Sequence, residues 1–145
     1  MLAGLIIGKI TGNYPIAIIV SLAIDLDHII SFYRHGVLFN FKKLLKEALD
    51  EKDPWGDQRN ILHNVFVFII ISFLVIILNS KIALVFSLAY LTHLFLDAIN
   101  GSPLYPLYPS KKFATKGFIK YNSKQEIMFD ACLAIILALI FIIKI

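Results

Sequence analysis

A single cysteine, Cys132, occurs in the 145 residues, and it sits in the middle of an apolar run. One thiol excludes an intrachain disulfide and a cysteine-based zinc site, leaving a small buried hydrophobe as its plain reading. The N-terminus lacks a basic start and an A-x-A-like site, so its first apolar stretch is expected to be retained. No long soluble basic module is present. The net charge of +4 therefore points to positive loops at a cytoplasmic leaflet and away from nucleic acid as a partner. Polar residues are also nearly missing from Ile61–Leu78 and from the far half of Ile127–Ile143. An ion or proton transporter needs such residues right across the bilayer, so that function ranks last.

What is present is mostly apolar. Hydrophobic residues make up 59% of the chain, above the roughly 45–50% of an ordinary soluble domain. Charge gathers in two stretches, Arg34–Arg59 and Lys111–Lys124. This pattern predicts an all-α, small polytopic membrane protein, a single membrane-embedded domain over residues 1–145. It should be a helical bundle of four hydrophobic segments plus an interfacial amphipathic helix.

The first segment runs from Leu2 to Ile30 and is interrupted by Gly12-Asn13-Tyr14-Pro15, which reads as a helix end followed by a new start. Leu2–Ile10 is too short for a crossing, which needs about 20 residues, so it suits a half-helix or re-entrant piece. Ile16–Ile30 would then carry Asp25-Leu26-Asp27-His28 at its C-terminal end. The second segment, Ile61–Leu78, would be about 27 Å long as a helix. Asn79-Ser80-Lys81 reads as a three-residue turn into an antiparallel third segment, Ile82–Ile99. The fourth is Ile127–Ile143.

Between the first two segments, Phe41, Leu44, Leu45, Ala48 and Leu49 fall at helical spacing. Lys42, Lys43, Lys46, Glu47 and Asp50 lie opposite, as in a helix lying flat among lipid headgroups. Asp53-Pro54-Trp55-Gly56-Asp57 would end it. Trp55 and the tyrosines suit an interfacial belt. Ser102–Pro109 should be irregular, because its prolines remove helix donors. Lys111–Tyr121 reads as a small hairpin turning at Lys116-Gly117.

Two arguments fix a common side for the ends of these segments. The loops before the second segment and after the third hold most of the Lys and Arg, which places both in the cytoplasm. A hairpin of segments two and three requires the same. Asp27, His28, His63, Asp97 and Glu126 then share one interface, with His93 a turn deeper.

His93 and Asp97 are spaced i, i+4 and project from one helical face, offering a nitrogen and an oxygen to a divalent ion. Gly101 beyond them suits a left-handed cap. The plain alternative is a satisfied polar pair. Asp25 and His28 share a face at i, i+3, while Asp27 points elsewhere unless the helix ends there. Two acids make poor exit markers beside anionic lipid, whereas acids and imidazole together suit one divalent ion or two. Arg59 and His63, again i, i+4, read either as a positive-inside charge and a local cap, or as an anion holder and a ligand or base. Ser123-x-x-Glu126 matches a capping box, which is a sufficient structural reason for that acid. Asp130, a turn deeper, needs a partner, either a cation such as Arg59 or the metal centre.

These motifs in order resemble the YdjM-like family of inner-membrane proteins, described as predicted metal-dependent hydrolases and also as LexA-binding. The resemblance rests on Ala23-Ile24-Asp25-Leu26-Asp27-His28 for the family's helix ending in D-x-D-H. Gln58-Arg59-Asn60-Ile61-Leu62-His63-Asn64 stands for H-R-x-x-T-H-S, and Tyr90–Asp97 carries H-x-x-x-D. Asn122-Ser123-Lys124-Gln125-Glu126 forms the polar turn with an early Glu. Gln58 stands where the family has a His, Leu62 and Asn64 flank His63 in place of Thr and Ser, no proline precedes Asp25, and Leu2–Leu5 offer no histidine. The neutral amide of Gln58 is a poor divalent ligand, so a site needing that His is expected to be weaker or to bind fewer ions.

The resemblance and the residues together imply a membrane-bound metal-dependent hydrolase. Asp25, Asp27, His28, His63, His93 and Asp97 would hold one or two divalent ions (Zn, Mn or Mg). Glu126 would take a proton, and Arg59 would stabilise negative charge. The cytoplasmic membrane interface favours membrane lipid as partner and a lipid ester or phosphoester as substrate. The rival expectation is a non-catalytic binding or regulatory membrane protein whose polar cluster only ties helices together, and Gln58 favours it.

Overall fold

Apolar runs in this chain become helices where an asparagine or serine starts them. The computed structural model describes residues 2–49 and 53–143, which form seven α-helices. These are α1 (Leu2–Thr11), α2 (Tyr14–Ala23), α3 (Leu26–Arg34), α4 (Phe41–Leu49), α5 (Val65–Leu78), α6 (Ser80–Ile99) and α7 (Lys124–Ile142). The side chain of Asn13 accepts from Ile16 N–H, that of Asn64 from Phe66 N–H, that of Asn79 from Lys81 and Ile82 N–H, and that of Ser123 from Glu126 N–H. Each satisfies donors that a helix start leaves without partners.

The fold is all-α. Three stretches are long and apolar enough to cross a membrane: Tyr14–Arg34, Ser80–Ile99 and Lys124–Ile142. Leu2–Thr11 and Val65–Leu78 are shorter apolar helices. The second segment is thus shorter than expected, because Ile61–His63 form a turn and Asn64 caps the helix only from Val65. Asn79 alone separates α5 from α6, where three turn residues were expected.

Gly4 and Gly8, one turn apart, face α2 so closely that an added Cβ would come within 2.7 Å of Ser21 Oγ and of the Tyr14 ring. Small residues at i, i+4 let helix backbones approach, which matters in a bilayer where apolar burial gives little drive between helices. The contacts Gly4–Ser21 and Gly8–Tyr14 make α1 and α2 an antiparallel pair. Leu2 and Ala3 lie across a cavity from Asp97, and Lys9 Nζ sits 5.1 Å from the Phe141 ring centre. So α1 runs alongside α7 in the same direction, and α2 returns to the level at which α1 began. At ten residues each, α1 and α2 reach about 15 Å, half a hydrocarbon core. This is the half-helix that Leu2–Ile10 led one to expect.

The buried core lies between α2 and α6: Ala17, Val20 and Ile24 pack against Val85, Ala89, Tyr90 and Leu94. Tyr90 is 2% exposed, and its hydroxyl donates to Leu62 O. It is a core residue, contrary to its expected place in an interfacial belt. The hydroxyl is tied to the very turn that carries His63.

The first segment does not end at Ile30. It breaks at Ile24-Asp25 and resumes as α3 to Arg34, so the acidic cluster sits inside the Tyr14–Arg34 span. Helix α3 is held by the Asp53–Asp57 loop. Ser31 Oγ and His35 Nε2 bind the Asp57 carboxylate, and His35 stacks on Trp55 at 4.3 Å. Helix α4 buries no side chain and leaves Phe41, Leu45 and Leu49 exposed, as an interfacial helix should. Asp50, expected on its polar side, falls outside the described residues.

Beyond α6 the chain folds back on the helix end. Gly117 N–H donates to Asn100 O, Ile119 N–H donates to Ile99 O, and Leu104 and Thr115 exchange backbone bonds. A Lys111–Tyr121 hairpin does not form, since those residues pair with 99–104 instead. Nor does Gly101 make a left-handed cap: Asn100 turns extended (φ −70°, ψ 149°) and enters this pairing. Ser102–Pro109 is irregular, as its prolines dictate.

Candidate metal centre

Where α2 gives way to α3, Asp25 stands at the junction and Asp27 enters the first turn of α3. Asp27 is 4% exposed, and its Oδ2 accepts from Leu62 N–H, His63 N–H and His63 Nδ1. The break in the helix therefore turns Asp27 onto the Ile61–Asn64 turn, 36 residues further along. A carboxylate acceptor at 3.1 Å requires the proton on Nδ1, so the neutral imidazole keeps its lone pair on Nε2.

That nitrogen is completely enclosed and points at the end of α6. His63 Nε2 lies 3.0 Å from Asp97 Oδ2, and His93 Nε2 lies 3.3 Å from the same oxygen. His93 Nε2 is also 3.3 Å from Asp25 Oδ1. Asp97 Oδ1 faces Arg59 Nη2 at 3.5 Å. The His28 ring centre is 5.6 Å from that of His63, and the His93 ring centre is 5.5 Å from it. The α2–α3 junction, α3, the Gln58–Asn64 segment and α6 thus bring Asp25, Asp27, His28, Arg59, His63, His93 and Asp97 together. Asp25, Asp27 and His28 are brought there by the helix break and not by a shared helical face. Arg59 and His63 lie in a bent segment and not on a helix, so their i, i+4 spacing carries no meaning.

The cluster fits a divalent cation on its own geometry. Two sets of three residues place ligand atoms within 4.8 Å of one another, Asp25–His28–His63 and His63–His93–Asp97. His63 Nε2, Asp97 Oδ2 and His28 Nδ1 are buried without a hydrogen-bond partner among the described residues, although the first two are close neighbours. Nitrogen and oxygen each about 2.0–2.1 Å from one tetrahedral ion would sit roughly 3.3 Å apart, close to the 3.0 Å seen here. Burial pulls the His63 pKa down, but its bond to the Asp27 carboxylate and the nearness of Asp97 outweigh it, so the net shift is upward. The field that favours a proton there also favours a metal. With Nδ1 committed to Asp27, His63 has a single nitrogen to give, so the two sets compete for it.

Asp27 belongs to neither set; it stands behind His63 as a carboxylate that orients the imidazole ring. Glu126 borders the cavity, yet its Oε2 accepts from Asn122 N–H at 2.6 Å while Ser123 Oγ accepts from Glu126 N–H. Ser123 thus makes its half of the capping box, while Glu126 reaches back one residue further, to Asn122 N–H and not to that of Ser123. His35, the remaining histidine, pairs with Asp57 away from the cluster.

A cavity of about 550 Å³ opens onto the cluster, lined by Asp25, His28, Gln58, Arg59, His93 and Asp97, with Glu47 of α4 and Tyr121 on its wall. Gln58 is 8% exposed, and its Nε2 has no hydrogen-bond partner among the described residues; the same holds for Arg59 Nη1. The sequence pattern marks Gln58 only as a missing ligand. Its position in the cavity wall follows from Asp53, whose carboxylate accepts from Trp55, Gly56 and Gln58 N–H and curls that loop inward. Asp53 as an Asx-type turn former was the available signal.

The sequence pattern of the YdjM inner membrane protein family matches residues 1–145. No curated protein and no solved structure matches the chain. The family match covers every element that builds the cluster, and with three candidate spans the protein belongs to the YdjM inner membrane protein family.

Proposed function

We propose that the protein is a membrane-bound, metal-dependent hydrolase acting on an ester or phosphoester at the cytoplasmic face of the inner membrane. The observation that carries this reading is the enclosed His63–His93–Asp97 set, open on one side to a polar cavity. The Lys- and Arg-bearing loops beside that cavity support the cytoplasmic side.

His63, His93 and Asp97 would hold the ion, with Asp25 and His28 completing its shell or receiving a second ion. When bound, a divalent ion of the Zn, Mn or Mg type supplies Lewis acidity and brings the pKa of water toward neutrality. Asp27 fixes the His63 tautomer. Arg59 and Gln58 direct buried N–H groups at negative charge that develops on the substrate oxygen. Glu126 on the cavity wall, or Asp25 (side chain 51% exposed) where it holds no ion, would accept the proton of the attacking water. In the overall reaction, water adds to the acyl carbon or phosphorus, the bond to the leaving oxygen breaks, and that oxygen takes up a proton.

The test is elemental analysis of detergent-purified protein beside assays on soluble esters with added Zn, Mn or Mg. Bound metal lost in His93→Ala, together with metal-dependent turnover, is expected. Metal-free protein without turnover under all three ions rejects the reading. The rival, a non-catalytic membrane protein, draws on Asp97, whose two oxygens already face His63, His93 and Arg59. It expects His93→Ala to lower stability with no chemistry to lose.

A further inference from the structure

A second cavity, of about 300 Å³, lies between α1, α6 and α7. It shares Leu96, Asp97, Asn100 and Glu126 with the polar cavity, so the two meet at the metal cluster. Their walls differ. Leu2 and Ala3 of α1, Phe129 and Leu133 of α7, and Ile119 give the second cavity an apolar side, opposite the Asp97, Asn100, Glu126 and Asp130 that also line it. Helix α7 buries none of its residues and packs on α1, so its exposed apolar side chains beside the slot would meet lipid in a membrane.

The polar cavity meanwhile presents two enclosed donors without partners, Gln58 Nε2 and Arg59 Nη1. Unpaired buried donors are costly, and an anionic oxygen would satisfy both. The carboxylates Asp25, Asp97, Glu47, Asp53 and Glu126 also line this cavity, so a bound anion needs the cation at the cluster to balance them. One molecule satisfies both walls: a negatively charged head for the polar side and a hydrocarbon tail for the slot.

We infer that the substrate is a phosphate-bearing membrane lipid, its phosphate held by Gln58 and Arg59 beside the cluster and its acyl chain lying in the slot between α1 and α7. The lipid enters sideways from the leaflet and never leaves it. This rests on the metal-centre reading, because the slot ends at those ligands.

The probe is phosphatidic acid carrying a diazirine on its acyl chain, compared with the matching diacylglycerol. Both are photolysed in Mn²⁺-containing nanodiscs with the full-length protein, and the labelled residues are mapped. Phosphatidic acid is expected to label Ala3, Phe129 and Leu133 at least fivefold over diacylglycerol, while the outer face of α5 labels equally with both. Ala3→Trp and Leu133→Trp, each filling the slot from one side, should cut slot labelling about tenfold and leave α5 labelling unchanged. Gln58→Leu should reduce the headgroup preference. Labelling of the slot that ignores the headgroup, or that survives both tryptophans, overturns the inference. Turnover of p-nitrophenyl phosphate, measured on the same samples, separates the two readings. Soluble turnover with no slot preference leaves the hydrolase and removes the lipid, whereas slot preference without turnover or bound metal removes the hydrolase and with it the lipid's role as substrate.

Discussion

Asp97 is the residue on which the cluster turns, since one of its oxygens faces two imidazoles and the other a guanidinium. Asp97→Asn keeps the shape and removes the charge, so bound metal should fall below detection by elemental analysis. Asp27→Asn should be milder. The amide oxygen still accepts from the Leu62 and His63 N–H groups, and metal affinity drops about 10–100-fold, as for other groups behind a ligand. Titration with Zn or Mn followed by circular dichroism would check that the helices persist. Away from the membrane spans, Asp57 reports on pH. Burial raises its pKa, but the bonds from Ser31 and His35 and the nearby Arg34 charge outweigh that and hold it below the ordinary 3.8. Its contribution to stability is therefore complete above that ordinary value and is lost as pH falls through the lowered one. Trp55, stacked on His35, is the chain's only tryptophan. Its fluorescence during thermal unfolding should show a steep acid limb that flattens in Asp57→Asn.

At the scale of elements, the helices were legible from their unbroken apolar runs, from the break at Gly12-Asn13-Tyr14-Pro15 and from the Ser123 cap, whereas Asn64 and Asn79, which start α5 and α6, were read as part of a helix and of a longer turn. Their ends were less so. A glycine after α6 suggested a local cap, yet the helix stops because Asn100 pairs with residues 117–119, contacts that no local pattern announces. Gly117 makes that pairing possible: a Cβ there would lie 1.9 Å from Ile99 C and O. Gly117→Ala must push the loop off α6, at a cost of about 1–3 kcal/mol typical of overpacking. Protease nicking within Lys111–Lys120 should rise accordingly, in limited proteolysis of the detergent-solubilised protein. The i, i+4 reading of Arg59 and His63 failed for a related reason. Apolar periodicity marks Ile61 onward as helix, whereas Asp27 and Tyr90 hold Leu62 and His63 in a turn by backbone bonds from distant elements.

For the whole molecule, α1 with α2 and α5 with α6 both begin and end at the level of the cluster, so loops of one charge sign share one side. Single-cysteine variants in a Cys132→Ser background would report it. Lys112→Cys should react with a membrane-impermeant maleimide only in inverted vesicles, and Ser80→Cys only in right-side-out ones. The opposite pattern would move the site to the other face and remove the cytoplasmic assignment.

Composition and segment length alone determined that this is a helical membrane protein, and motif order alone pointed to its family, because both depend on residues read locally along the chain. The convergence of Asp25, His28, His63, His93 and Asp97 was legible too, through the charge of the loops and the hairpin rule. Only the tertiary structure decided which groups point where. The break at Ile24-Asp25 turns Asp27 behind His63, the Asn122 N–H occupies one oxygen of Glu126, and the Asp53 turn carries Gln58 into the cavity wall. Side-chain direction at a helix break or in a turn is set by partners far away in sequence, and spacing rules hold only where a helix is continuous.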